Sequence, residues 1–192
     1  DMHKLAGMPE PERIMDQYPH QYSGRRRKRV MIAMALSCEP EILIADEPNT
    51  ALDVTIQAQI LELINELSER LGTAVILITH SLGVVAGMCD TIAVMYAGRI
   101  VERGSADEIF SDPRHPYPQG LIQSVPRLDR AVSERLHSIP GQPPNVINLP
   151  ECCPFFPRCE KAMDICKTKY PKVVELGKDR NVACWLYGEG SK

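Results

Sequence analysis

Ile56, Ile60, Leu63, Ile64, Leu67 and Leu71 recur at steps of three and four residues, with Glu62, Glu66, Glu69 and Arg70 on the opposite face and Gly72 closing the run. That period predicts an amphipathic helix after the Pro48 to Asp53 turn, stopped by the glycine. On either side the pattern changes. Glu41 to Ala45 and Thr73 to Thr79 are apolar on successive rather than alternate positions, which predicts two strands buried on both faces.

Upstream, Pro9, Pro11 and Pro19 break the polar segment from residue 1 to about 22 and exclude a long helix there. Ser23 then precedes a stretch with no breaker until Pro40, including Val30, Ile32, Met34, Ala35 and Leu36. It predicts a helix with Ser23 as its N-cap. Downstream, a short helix from Ser81 to about Met88, a strand Thr91 to Tyr96, a turn at Ala97-Gly98 and a returning strand Arg99 to Arg103 complete a strand–helix–strand–helix–strand series. Such spacing argues for an α/β fold with a parallel sheet flanked by helices and ending in an antiparallel hairpin. Ser105 to Phe110 reads as a short capped helix and His115-Pro116-Tyr117-Pro118 as a turn. Residues 138–150, with four prolines, read as an extended connector.

Composition narrows the function classes. In 192 residues with 44% apolar content there is room for one good core and an appendage. A net charge of -3 gives no electrostatic case for nucleic acid. No apolar run approaches 20 residues, and Asp1-Met2-His3-Lys4 has no leader character, so any membrane role is expected to pass through a partner. Cys38 and Cys89 stand alone in apolar text and are expected to be small buried residues. Cys152, Cys153, Cys159, Cys166 and Cys184 crowd the last 41 residues, which points to metal rather than disulfides.

The strongest chemical signal is Ile42-Leu43-Ile44-Ala45-Asp46-Glu47-Pro48. A buried parallel strand delivers its C-terminal residues to the ligand-binding edge of a sheet. Two carboxylates there can divide labour, one ordering Mg²⁺ and its waters and the other contacting an attacking water. The tripeptide alone also suits an ordinary solvated turn. The next strand ends in Thr79-His80, so two consecutive apolar strands bring polar groups to one edge.

Ser23-Gly24, the strand ending in Asp46-Glu47-Pro48, the turn Ala51-Leu52-Asp53 and Thr79-His80 resemble, in order and spacing, the signature, Walker B, D-loop and switch-histidine of an ABC transporter ATPase. Pro19-His20-Gln21-Tyr22-Ser23-Gly24, Val30 to Leu36, His115-Pro116-Tyr117, Ile139-Pro140-Gly141-Gln142-Pro143-Pro144 and the cysteine tail narrow the resemblance. They resemble the ATP-binding subunits of dipeptide/oligopeptide (and nickel) importers. The resemblance implies a partial P-loop NTPase core with a small cysteine-rich C-terminal module: 1–110 the C-terminal part of the ATPase domain, 111–150 a proline-rich connector, 151–192 the module. It implies ATP and Mg²⁺ as ligands, Asp46 in the Mg²⁺ shell, Glu47 as general base, His80 on the γ-phosphate, and Ser23 and Gly24 on nucleotide held by another subunit. Asp53 is implied to act across the dimer interface.

Partners follow from the same resemblance: a second ATP-binding subunit, identical or not, two membrane permeases, and an external solute-binding protein indirectly. The site of action would be the cytoplasmic face of the membrane, peripherally, with no nucleic acid. Two departures stand against it. No Gly-x-x-x-x-Gly-Lys-Ser/Thr phosphate loop occurs, since Gly177-Lys178 is followed by Asp179 and lacks the earlier glycine. The chain is therefore expected to be the C-terminal part of a subunit and to be inactive as an ATPase alone. The signature also continues Arg25-Arg26-Arg27-Lys28-Arg29 where members of the family have a second glycine, and Asn49 stands where they usually have threonine.

From Cys153 the spacing is C-x5-C-x6-C-x17-C through Cys159, Cys166 and Cys184. Four thiolates suit iron–sulfur or zinc, and spacing alone does not choose between them. Resemblance to the importer tail implies a [4Fe-4S] cluster on these four, with Cys152 spare; zinc and free thiols are the alternatives. A competing function is a catalytically incompetent remnant that docks on a partner through its metal-bound tail.

Overall fold

Proline spacing governs the start of the chain, where only two short helices form, α1 (Met2–Leu5) and α2 (Pro11–Met15). The structure, a computed structural model, describes residues 2–48, 53–125 and 138–188. It divides into two compact units, Asp1–His80 and Ser81–Lys192.

In the first unit Ser23 caps α3 (Gly24–Leu36), its hydroxyl accepting from the Arg26 amide at 3.4 Å. Arg29 donates to the carbonyls of Ala6 and Gly7 at 2.6 and 3.1 Å, tying α3 back to the end of α1. β1 (Ile42–Asp46) follows, then α4 (Val54–Leu71), capped by Asp53 and ended by Gly72 at φ 67°, a left-handed conformation that glycine adopts without a Cβ clash. β2 (Ala74–Ile78) pairs parallel with β1 in the register Ile42↔Ala74 to Asp46↔Ile78.

One face of this pair is packed by helices. Leu43, Ala45, Val75 and Leu77 meet Ile32, Ile56, Ile60 and Ile64, and Leu36, Leu63 and Leu67 extend the cluster. The other face carries Ile42, Ile44, Ile76 and Ile78, 57, 64, 51 and 48% exposed. The expected burial on both faces is therefore corrected. Successive apolar residues record chemistry suited to two buried faces, whereas only one face meets a helix among the described residues.

The second unit opens with α5 (Leu82–Val85) and the antiparallel hairpin β3 (Thr91–Tyr96) and β4 (Arg99–Ser105). α6 (Ala106–Ser111) has a reciprocal capping box between Ser105 and Glu108. α7 (Pro116–Ser124) starts where a turn was expected, because His115 serves as N-cap and Pro116 occupies the first helical position, where no amide is needed. Residues 138–150 contain neither helix nor strand.

β5 (Val174–Gly177) and β6 (Arg180–Val182) complete a four-stranded sheet of order β3-β4-β6-β5. β3 thus does not extend the parallel pair among the described residues, which corrects the sheet expected from the strand–helix spacing. Its burial alternates strictly along Thr91–Tyr96, as in an antiparallel sheet covered on one face. The free side of β4 is taken by tail strand β6, with Glu102↔Val182 and Arg103↔Asn181 in register. The core beneath holds Ile92, Val94, Tyr96, Val101, Ile109, Phe155, Cys153 and Cys166.

Candidate active site

β1 and β2 end level with one another, and the residues that follow them form the site. The Glu47 amide donates to the Ile78 carbonyl at 2.9 Å, continuing the ladder one step past Asp46. Glu47 then takes φ 43°, a left-handed conformation that is unfavourable by roughly 1–2 kcal/mol for a residue with a Cβ. Strained residues of this kind concentrate at functional sites. Its carboxylate Oε1 stands 2.9 Å from His80 Nδ1, with the two side chains 44% and 80% exposed. A carboxylate and an imidazole from consecutive parallel strands are thus paired at the strands' C-terminal edge.

The other expected residues lie at defined places of the same unit. Asp46 is the last residue of β1. Ser23 and Gly24 form the start of α3, and a Cβ built on Gly24 would meet nothing within 4 Å, so the backbone there is open to approach. Asp53 accepts from the Ile56 amide at 3.0 Å as the N-cap of α4. Ala51, Leu52 and Asn49 lie outside the described residues. Arg25, two residues after Ser23, is exposed.

The cysteines divide less simply. Cys38 is exposed, correcting its expected burial: it lies in the loop after α3 rather than on the packed face of the helix. Cys89 is half-buried. In the tail, burial pushes the thiols of Cys153 and Cys184 up to about 11, against amide hydrogen bonds from Phe155 and Phe156 and from Leu186 respectively. Burial also raises Cys159, opposed by the Lys161 amide. Cys153 feels Cys159 and Cys166, and Cys184 feels Cys153, Cys159 and Cys166, whereas Cys152 figures in none of these interactions.

Yet no group of three or more His, Cys, Asp or Glu that could hold a metal ion occurs among the described residues. The donor geometry of a tetrahedral zinc site is therefore not built, and the cluster expected on Cys153, Cys159, Cys166 and Cys184 has no support from this arrangement.

His115 was noticed in the sequence only as part of a motif. It is 2% exposed, and its Nδ1 accepts from the Tyr117 amide at 3.0 Å, so the neutral ring is what the site holds. Burial lowers its pKa to about 4. The unfolded chain would bind the proton first, near the ordinary value of 6.5, so stability is complete above that value and is lost as pH falls toward 4. The second unit should lose about 3 kcal/mol across that window. Urea melts at pH 7 and pH 4 would show it, and the corresponding part of the loss should be absent in His115→Asn.

Other positioning groups left no obvious trace in the pattern. Arg158 donates to the carbonyls of Ile139 and Pro140 and to the Tyr96 hydroxyl, at 3.2, 2.8 and 3.3 Å, strapping the connector onto the sheet. The signal that could have found the buried Glu102 was a lone charge at an inward position of the Arg99–Ser105 strand.

Residues 101–166 match the family described as oligopeptide/dipeptide transporter, C-terminal region, and residues 23–86 match an AAA domain family described as putative AbiEii toxin, Type IV TA system. The oligopeptide transport ATP-binding protein OppD of Haemophilus influenzae is 54% identical over 95% of this chain and 56% of its own length. OppD of Escherichia coli is 56% identical over 93% of this chain and 52% of its own. AppD of Bacillus subtilis, also an oligopeptide transport ATP-binding protein, is 50% identical over 97% and 56%. The chain thus spans about half the length of the curated relatives it matches.

Among solved structures, cbiO1 of Clostridium perfringens, part of an ABC transporter complex, superposes with a TM-score of 0.52 and 35% identity. That match covers 58% of this chain and 43% of that one. Over the matched part the mixed α/β fold is similar to that of this ABC transporter component. The resemblance read from the motifs holds across nearly the whole sequence at high identity.

Proposed function

We propose that this chain forms the signature, Walker B, D-loop and switch-histidine portion of an ATP-binding subunit that drives peptide import. The observation that carries the reading is the Glu47–His80 pair, 2.9 Å apart at the C-terminal edge of two parallel strands. The identity to peptide-transport ATP-binding proteins favours this over the non-enzymatic remnant.

ATP with Mg²⁺ supplies the phosphoryl group, and catalysis of its transfer is chiefly a matter of positioning and charge. Glu47 accepts the proton of an attacking water, and its left-handed backbone aims the carboxylate out of the strand line. His80 fixes the rotamer of that carboxylate and presents its remaining ring nitrogen to the γ-phosphate. Asp46, one residue back, would help hold Mg²⁺, which would neutralise charge on the phosphates. Ser23 and the first amides of α3 face the phosphates of nucleotide bound by a second subunit, and Asp53 acts across the same interface. These 192 residues contain no Gly-x-x-x-x-Gly-Lys-Ser/Thr phosphate loop.

The subunit would sit peripherally on the cytoplasmic face of the membrane. It would pair with a second ATP-binding subunit beneath two permeases and receive solute indirectly from an external binding protein. No helix among the described residues is long and apolar enough to cross a membrane. The test is ATP hydrolysis by this chain joined to a phosphate-loop-bearing segment and assembled with permeases in vesicles. Peptide-stimulated hydrolysis is expected, and its absence in a folded, ATP-binding assembly would sink the reading.

The tail carries a finer proposal, an iron–sulfur cluster held by Cys153, Cys159, Cys166 and Cys184. What supports it is that Cys153, Cys159, Cys166 and Cys184 act electrostatically on one another, while Cys152 does not act on them. Anaerobically purified protein should be brown, with charge-transfer absorption lost in Cys159→Ser and retained in Cys152→Ser. A colourless sample with stoichiometric zinc, or with no metal, would refute it.

A further inference from the structure

Two side chains of the tail reach the segment that leads into α7, and the chemistry above uses neither. Arg180, on β6 and 9% exposed, lies 3.8 Å from Glu102, 3.9 Å from Glu108 and 3.5 Å from the Asp112 carboxylate. It also donates to the Asp112 carbonyl. The Tyr187 hydroxyl donates to the Arg114 carbonyl at 3.2 Å.

The third member, Glu102 on β4, has no exposed surface. Its carboxylate accepts the Arg114 amide at 2.8 and 3.0 Å and the His115 amide at 2.7 Å. Those are the last two amides before α7, so Glu102 holds the backbone that presents His115 as the helix cap.

The charges explain why these contacts are not independent. Among the described residues Arg180 is the cation in ion-pair contact with all three of Glu102, Glu108 and Asp112, while Arg114 pairs with Asp112 and acts more weakly on Glu102. A buried carboxylate persists only while it is paired and hydrogen-bonded, and removing one partner leaves an uncompensated charge. Burial raises Glu102's affinity for a proton, while the two amides, Arg180 and, less strongly, the Arg114 charge oppose that shift. If the tail strand withdrew, Glu102 would lose its stronger counter-charge and keep only the weaker attraction of Arg114. If the Asp112–His115 turn opened, Glu102 would lose its amides and Arg180 its Asp112 contacts.

We infer that Arg180, Glu102 and Tyr187 form a clamp coupling the C-terminal strand pair to the entry of α7, so that ordering of the cysteine-bearing tail and ordering of the Asp112–His115 turn rise and fall together. Coupling of this kind is reciprocal. A perturbation made in the tail loosens the turn, and one made under the turn loosens the tail. Arg180 and Glu102 act here as positioning residues.

Hydrogen exchange of the full chain tests both directions. Arg180→Gln should speed exchange at the Arg114 and His115 amides about tenfold, the factor for losing one hydrogen bond to a charged group. Tyr187→Phe should speed the same amides by a smaller factor. In the reverse direction, Glu102→Gln should speed exchange at the Cys153 amide, which bonds the Cys166 carbonyl, and in β5. The Met95–Ile100 end of the hairpin should be unchanged in all three.

Loosening of Cys153 and β5 in Arg180→Gln with Arg114 and His115 protected as in the parent would overturn the clamp. If Arg180→Gln also opens the hairpin, it has unfolded the unit. Tyr187→Phe and Glu102→Gln then decide, and wild-type protection at the opposite partner in both would overturn it equally.

Discussion

Glu47→Gln is expected to lower steady-state ATP hydrolysis by about 10²- to 10⁴-fold once the chain is part of a complete nucleotide-binding pair, with ATP binding retained. The substitution keeps the shape of the side chain and a hydrogen-bond acceptor for His80, but removes the group that can take a proton from water. The loss should therefore fall on kcat, with KM for ATP little changed. His80→Ala should act in the same direction through lost orientation of Glu47 and a lost phosphate contact. A variant carrying Gln at position 47 with unaltered kcat would remove Glu47 from the chemistry, whatever its distance from His80.

Phe155→Ala should destabilise the second unit by about 3–5 kcal/mol, the range for emptying a buried aromatic site. Phe155 is 2% exposed and lies at ring distances of 5.2, 5.4 and 5.7 Å from Tyr96, Tyr117 and His115. It therefore joins the hairpin, the start of α7 and the cysteine loop at one point. Tilted and edge-on aromatic pairs contribute beyond buried area, and all three are lost together. The single tryptophan, Trp185, packs against the same core and reports the unit selectively. A fall in the urea midpoint at unchanged slope is the expected signature. A loss under about 1 kcal/mol would show that neighbouring side chains collapse into the vacated space.

Helices α3, α4 and α6 were legible because each has local chemistry at its ends. Ser23, Asp53 and Ser105 all cap as their sequence positions suggest, and Gly72 ends α4. The Glu47–His80 edge was half legible. Asp46, Glu47 and His80 stand at the ends of two apolar runs, so their arrival at one edge follows from parallel pairing. That Glu47 and His80 bond each other depends on the register Asp46↔Ile78 and on the left-handed turn at Glu47, neither of which is a local property. His115-Pro116 was misread as a turn because proline is both a turn former and a good first helical residue. The choice fell to Glu102, thirteen residues away from His115, which anchors the amides before the helix.

From composition and pattern alone came the capped helices, the apolar strands, the catalytic-type carboxylates and the family resemblance, all of which rest on residues close together in the chain. Three things came from contacts distant in sequence. β1 and β2 are covered on one face only, β3 belongs to an antiparallel sheet rather than to the parallel pair, and the tail adds β6 to β4. Periodicity records how many faces of an element are apolar. Which neighbour covers each face, and whether a buried charge such as Glu102 finds its amides and its Arg180, depends on long-range packing that no local window contains.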